Sequence, residues 1–517
     1  MRKFYFSIVI VLFVSVKLFS QAGLLDAAFG SAGIVNTSFG IQYADEINDM
    51  AIQSDGKIVV VGVTNDPISE LDKISLARYN ANGSLDLAFG TGGLVTTSVI
   101  ANFHCRGIAV DIQPDGKIIV GGEANDTATI APQNGYYLVL RFNSNGTLDN
   151  TFNSTGIKSV QSASNYSTEV YITDVLLQPD GNIVLSAGVY YSVMSEFVFM
   201  RLTPNGALDN TFGTAGLSVI SSTIGEALPA AIALQSDGKI VYSGFIDGST
   251  TNYPMVGRLN ADGSADAGFG SSGHVLPSFS ASAGFLGITI DAAGNIIACG
   301  FENGALLQRF QPNGSVDLSF GTNGYLITPI GSQQDAVLND VKVQNDGKIV
   351  AAGAADAAFA LMRATSVGSL DLTFGSSGVT QTSITPGVYA EANAIQIQGD
   401  GKILLAGTNI TANPSAISVY ALARYTNDVT TSLVDRSKNE SDLFFPNPAD
   451  KRLSFQLPSL KENTSIEIYN LSGQLVMKEE INHSHSELNI SELCAGIYTV
   501  TIKDRVKTSH HKLVIAH

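Results

Sequence analysis

An arginine and an aspartate eight residues apart recur six times in this chain: Arg78 and Asp86, Arg141 and Asp149, Arg201 and Asp209, Arg258 and Asp266, Arg309 and Asp317, Arg363 and Asp371. A guanidinium beside a carboxylate can serve an ion pair or a catalytic set, and the regularity decides between them. Catalysis needs one constellation, whereas every copy carries this pair. It reads as a structural ion pair closing a turn, of small energy if exposed. Two orphans complete the series. Asp26 stands at the start without its Arg, and Arg424 at the end without its Asp, so a pair between them is expected.

Other chemistry-bearing residues read less sharply. The loop Asn80 to Asp86 has the Asp/Asn character of calcium loops, but its analogues begin with Thr203 or Gln311 and the far-end ligand is missing, so Asx turns explain it better. Five of the seven histidines lie in the last 40 residues. Of these, His510 and His511 would point to opposite faces of a strand and could not easily share one ion. Cys105, Cys299 and Cys494 fall in different units and read as buried thiols. No Gly-x-Ser-x-Gly, His-Glu-x-x-His or phosphate-loop motif is present. No catalytic residue, metal site or cofactor is predicted.

These residues sit on a repeated frame. A second block, Gln-x-Asp-Gly-Lys-Ile, places its glycine at 56, 116, 181, 238, 294, 347 and 401, a period near 57 residues in seven copies. One copy is degenerate, Asp291-Ala-Ala-Gly294-Asn295. Asp-Gly between apolar runs predicts a two-residue type I′ hairpin with φ > 0 at both central positions. The run after it, such as Ile58 to Val61, is continuously apolar, as in a strand buried on both faces. It ends at a glycine in six of seven copies, a sign of close backbone approach. A third strand carries the Arg, and a fourth follows the Phe-Gly block, as in Gly33 to Thr37. The fold class expected is all-β: a seven-bladed β-propeller of ~57-residue repeats followed by a small immunoglobulin-like β-sandwich. A β-solenoid is the competitor, with shorter coils. In the propeller the two orphan halves would close one mixed blade, with Ile34 and Val35 buried.

Only loop length breaks the symmetry. From the strand-end residue to the next Arg the spacings are 16, 19, 14, 14, 9, 10 and 17, so the longest loops belong to units seven, one and two, neighbours in a closed ring. They supply a polar, acidic-leaning candidate ligand face: Asp66, Asp72, Asn125, Asp126, Asn134, Tyr136, Tyr137, Asn409 and Asn413. Drift of surface loops is the plain alternative.

The blocks Leu85-Asp86-Leu87-Ala88-Phe89-Gly90 and Gln113-Pro114-Asp115-Gly116-Lys117-Ile118 resemble the delta-60 repeat family. The resemblance covers roughly residues 23–428 and implies a secreted or surface propeller with no defined activity. Trp-based propeller signatures are excluded, since the chain has no Trp.

The two ends concern export. Arg2 and Lys3 precede an apolar run from Phe4 to Phe19, too short for a membrane span, so residues 1–22 read as a signal peptide. No later stretch could span a bilayer as a helix. Residues 429–441 read as a linker and cleavage region. Residues 442–517 change character: Phe445-Pro446-Asn447-Pro448, then blocks containing Gly473, Gly496, Tyr498 and Lys512, in small antiparallel strands. These blocks resemble the C-terminal sorting domain of the type IX (Por) secretion system, with Phe445 in place of the family's Tyr. That resemblance implies the type IX machinery as partner of residues 442–517. It also implies passage through the periplasm to the medium or outer-membrane surface of a Bacteroidetes-type bacterium.

A formal charge of −17 argues against nucleic acid or an anionic membrane as partner. The reading is a non-enzymatic binding or scaffold propeller with a glycan or protein ligand. The alternative is a secreted polysaccharide hydrolase or lyase, which raised-pKa carboxylates at the tunnel mouth would favour.

Overall fold

Short apolar strands separated by Gly-bearing turns leave no room for a helix, and none occurs among the described residues. The computed structural model describes residues 21–427, apart from 41–43, 67, 127–133, 163–168, 192–193, 222–224, 249, 333–334, 385–388 and 412–416. It also describes residues 443–515, apart from 446–448, 457–463, 471–473, 482–484, 494–495 and 504–507. Residues 1–20 of the proposed signal segment and the whole proposed linker lie outside these residues; Gln21 and Ala22 lie within them. The chain forms two compact units, Met1–Asp428 and Val429–His517.

The first unit contains, among the described residues, seven four-stranded antiparallel sheets. Sheet one is built from Asp45–Ile52, Ile58–Asn65, Asp72–Tyr79 and Leu94–Thr97, and sheets two to six repeat that order along the chain. Each sheet packs on the next, and the seventh packs on the first, so the array is a closed β-propeller. The seventh takes three strands from the end of the array, Ala390–Ile397, Ile403–Ile410 and Ser418–Tyr425. Its fourth is Ile34–Thr37, paired in the register Ile34↔Ala423 to Thr37↔Tyr420. Borrowing that strand removes the unpaired edge that an open array would expose. Ile34 and Val35 are only half-buried, so the apolar gain comes elsewhere: Phe29 is fully buried in a core shared by sheets one and seven.

The second strand of each sheet is the most deeply buried; Ile58–Asn65 is covered on both faces for seven of its eight residues. Gly62 does not end this strand, as the sequence suggests, but is its fifth residue; opposite it the first strand bulges between Ile47 and Asp49, and all seven first strands carry this bulge. The bulge tips the Glu46 carbonyl over the glycine, where a Cβ would lie 1.8 Å from that oxygen. Only glycine fits there.

The turn chemistry differs from the type I′ expectation. Gly56 donates to the Gln53 carbonyl and Gln53 to the Lys57 carbonyl, and of the turn residues only Gly56 has φ > 0, at 84°. This is a type I turn followed by one left-handed glycine. Asp55 stays right-handed because its carboxylate accepts the Lys57 amide, 3.1 Å away.

The Arg–Asp pairs are also not surface pairs. Arg78 donates through Nε to Asp86 at 2.8 Å, lies 4.6 Å over the Phe89 ring, and reaches through Nη1 to the Ser144 carbonyl of sheet two. All seven arginines stack on a Phe in this way, and Arg424 pairs with Asp26 at 3.0 Å over Phe29 while bonding the Ala81 carbonyl of sheet one. Each guanidinium thus pins its own turn and the next sheet together. Five sheets add a lysine from the Asp-Gly turn to the same carboxylate, as Lys402 does to Asp26 at 3.3 Å. Arg424 and Asp26 are 5% and 9% exposed, so Asp26→Ala should cost roughly 3 kcal/mol by orphaning a buried charge, rather than the small loss of a surface pair.

In the second unit, a three-stranded and a four-stranded sheet share one core, with Leu453 and Leu488 of the first meeting Ile468, Val500 and Leu513 of the second. This is a small β-sandwich.

Candidate functional site

Of the residues predicted from loop length, several are tied into the protein. Tyr137 and Asn409 are buried and cannot face a ligand. Asn125 bonds both the amide and carbonyl of Val170 in the adjacent sheet, 3.1 Å each. Asp126 accepts from Asn134 at 3.2 Å, and Tyr136 stacks edge-on against Phe103. Asp66 accepts Lys73 at 2.6 Å and the Ile68 amide, which holds its carboxyl down at about 2. Asp72 accepts Arg106 Nε at 2.7 Å and lies 3.3 Å from His104. Asn413 lies outside the described residues. In the sandwich, Gly496 opens the strand Gly496–Lys503, Tyr498 is buried, and Lys512 stands opposite Thr499. Pro446, Asn447, Pro448 and Gly473 lie outside the described residues, as do Cys494, His483 and His517. Cys105 and Cys299 are buried free thiols. No group of three metal-ligating side chains occurs among the described residues.

The first strands of all seven sheets line a single central cavity of ≈ 520 Å³, the propeller's tunnel. Its wall contains Asp49, Asp111, Asp174 and Asp340, with Lys342 as the cation. The sequence reading missed these residues, though a signal existed: Asp49, Asp174 and Asp340 each stand four residues before the turn glutamine of their unit. Asp49, Asp174 and Asp340 directly follow the bulge, which aims their carboxylates sideways; Asp111 stands two residues further along its strand. Asp49 accepts the Met50 amide at 2.7 Å and the Val110 amide of sheet two at 2.8 Å. Asp111 grips Leu177 of sheet three, Asp174 grips Ile232 of sheet four, and Asp340 grips Ile395 of sheet seven, at 2.9–3.0 Å. Asn48, Asn339, Asn393 and Gln396 bond carbonyls of the following sheet. An inner edge strand has amides and carbonyls with no ladder partner; the aspartates accept the amides and the Asn and Gln side chains donate to the carbonyls. Sheets four and five contribute Ala231 and Gly287 at the corresponding register, so that arc of the wall is apolar.

Burial raises the carboxyls of Asp49, Asp111 and Asp174, and that of Glu123 in the second strand of sheet two. Asp174 and Glu123 are pushed up to about 7, and Asp49 and Asp111 also titrate above the ordinary carboxylate value. Burial works against the Lys342 ammonium, but Asp340 at 2.8 Å, with Asp49 and Asp174 nearby, raises its pKa. The Arg-bound aspartates shift the other way. Burial alone would raise Asp26, but the Ala28 amide, Arg424 and Lys402 together hold it below its usual value. Between about pH 4 and 7, the folded tunnel keeps protons that the unfolded chain has released, so stability falls as pH rises through that window. The Arg-bound aspartates contribute fully above about pH 4 and lose their contribution below it. Thermal unfolding should therefore have a higher midpoint near about pH 5 than near about pH 8, reflecting a stability difference on the order of 1–3 kcal/mol. Asp174→Asn should flatten the slope. A midpoint that climbs toward alkaline pH would contradict this assignment.

The architecture and tunnel define a closed β-propeller with a separate C-terminal sandwich. Residues 53–89, 113–152, 178–212, 235–269 and 344–374 match the family described as domain of unknown function (DUF5122) beta-propeller. Residues 443–516 match the secretion system C-terminal sorting domain. The chain carries DUF5122-type propeller repeats and a type IX sorting domain, and it is a secreted or cell-surface protein. A funoran endo-beta-hydrolase from Wenyingzhuangia aestuarii is 32% identical over 82 residues, which cover 16% of this chain and 10% of that protein. The chain thus matches about a tenth of the length of this curated relative. Among solved structures, a protein of unknown function from Dyadobacter fermentans aligns with TM-score 0.40 at 11% identity, covering 63% of this chain and 95% of that one. The β-propeller domain of the Trilobed protease from Pyrococcus furiosus aligns with TM-score 0.38 at 9% identity, covering 76% and 99%.

Proposed function

We propose that this protein is a non-enzymatic binding propeller, delivered by type IX secretion and presented outside the cell. The observation that carries this reading is the commitment of the tunnel carboxylates. Each of the four aspartates spends one oxygen on its own strand and the other on the next sheet's amide. A catalytic acid or base must be free to exchange a proton with substrate. One observation favours catalysis instead: Asp174 and Glu123 near 7 have values suited to proton transfer. Glu123, however, is buried and accepts the Ile172 amide at 2.8 Å. The likeness to a polysaccharide hydrolase spans too little of that enzyme to carry its activity across.

The test is reducing-end release from a panel of polysaccharides by the purified exported chain. No turnover is expected; turnover abolished by Asp174→Asn would establish the hydrolase reading instead. The export half is tested separately. Deleting residues 442–517 should leave the propeller folded but held in the periplasm. Wild-type amounts of the truncated protein outside the outer membrane would remove the sorting role.

A further inference from the structure

We propose that the tunnel's open end, on the face opposite the Asp-Gly turns, binds an uncharged carbohydrate; this rests on the binding reading above. The site is defined by register. In each first strand, the residue just before the partner of Gly62 or its equivalent forms one level, two residues outward from the cavity wall. That level is Glu46, Arg106, Tyr171, Leu228, Gly284, Val337 and Glu391. Sheets seven, one, two and three present charge and an aromatic ring there, sheets four and six the half-buried Leu228 and Val337, and sheet five the buried Gly284, which carries no side chain. A sugar ring has the same division, with hydroxyls along its edge and C–H bonds on its face.

The polar arc is held in place but not used up. Arg106 donates Nε to Asp72 at 2.7 Å, which fixes the guanidinium plane, yet 49% of its side chain is exposed. Glu46 is exposed and makes no hydrogen bond to any described residue; desolvation of its carboxyl raises its pKa, Arg106 opposes that, and Asp72 and Glu391 add to it. The Tyr171 hydroxyl bonds Glu169 and the Tyr389 hydroxyl bonds Glu391, so both rings are anchored while each residue stays 42% exposed. Aromatic faces fixed by their polar ends suit the apolar face of a sugar. Donors and acceptors side by side suit hydroxyls, which both give and accept hydrogen bonds. Glu46, Glu391, Glu169 and Asp72 outnumber the one arginine, so a sulfated or carboxylated polymer would be repelled. Arg106, Glu46, Tyr171 and Tyr389 stay exposed, unlike the tunnel aspartates, whereas Glu391 already accepts Asn339 and Tyr389, and Asp72 accepts Asn65 and Arg106.

The experiment is affinity electrophoresis of the exported chain in gels containing agarose, laminarin or xylan as neutral polymers, and alginate or carrageenan as anionic ones. Retardation by at least one neutral polymer is expected. Arg106→Met and Tyr171→Ala should each weaken it roughly tenfold in Kd, with thermal unfolding unchanged. Stronger retention by the anionic gels, equal retention of both variants, or no retention in any gel would overturn the site. An absence of retention leaves the non-enzymatic reading standing, whereas cleavage of the retained polymer overturns that reading and keeps the site.

Discussion

Removing residues 23–40 from the exported chain is expected to abolish the cooperative fold of the propeller. The segment joins three sheets. The Gly23 carbonyl accepts from Thr380 of sheet six, Ile34–Thr37 completes sheet seven, and Phe29 fills the core between sheets seven and one. Losing Phe29 alone costs about 3–5 kcal/mol by the usual range for a buried aromatic. Deletion also strands Arg424, whose carboxylate, aromatic platform and backbone partner Gly33 all belong to this segment. The sum approaches the whole stability of a typical domain, about 5–15 kcal/mol. Circular dichroism and limited proteolysis would read the result. A truncated chain that melts with the wild-type midpoint would mean that the ring does not depend on its borrowed strand.

Arg363→Met is expected to be the most damaging single substitution among the seven arginines. Arg363 is fully buried, is ion-paired with Asp371 at 2.9 Å, donates to Asn427 at 2.7 Å, and lies 4.4 Å over Phe374. Methionine keeps most of the volume and loses the charge. Asp371 would then keep only Lys348, at 3.1 Å, as its cation. Breaking a buried pair from one side costs roughly 3–5 kcal/mol. Arg309 offers the control, since its contacts with Ser366 and Ser319 are exposed and no lysine joins its pair with Asp317. Arg309→Met should cost less. Equal losses in denaturant unfolding would show that burial does not set the difference.

The architecture was legible because repetition carries it. One Arg, one Asp and one turn glycine, counted along the chain, yield the number of units and the complementary halves at the ends. The second contact of each arginine was not legible, because Ser144 or Ala81 becomes its neighbour only when two sheets, each folded locally, meet in the ring. The turn type failed for a local reason: Asp-Gly permits two left-handed residues, and the carboxylate of Asp55 selects one. The tunnel stayed hidden because an aspartate in a first strand reads as the polar half of an alternating pattern. The bulge that turns it toward the next sheet leaves no trace in residue types beyond a glycine on the opposite strand. The loop residues were chosen by length, and length did not distinguish Asp72, which steadies Arg106, from Asn409, which is buried.

The shared seventh sheet also sets an order of events. The first three strands of every sheet, and the fourth in sheets one to six, pair with a neighbour in sequence, so those hairpins can form as soon as their own residues are free. The pairing of Ile34 with Ala423 spans almost the entire repeat array and must wait for its last strand. Contacts of such separation are slow to form, because chain entropy is spent before they return any energy. Until then, Ser418–Tyr425 remains an uncovered edge beside six finished sheets, a surface to which a second unfinished chain could add a strand. The time the protein spends with its ring unclosed, rather than the strength of any one blade, governs its exposure to misassembly.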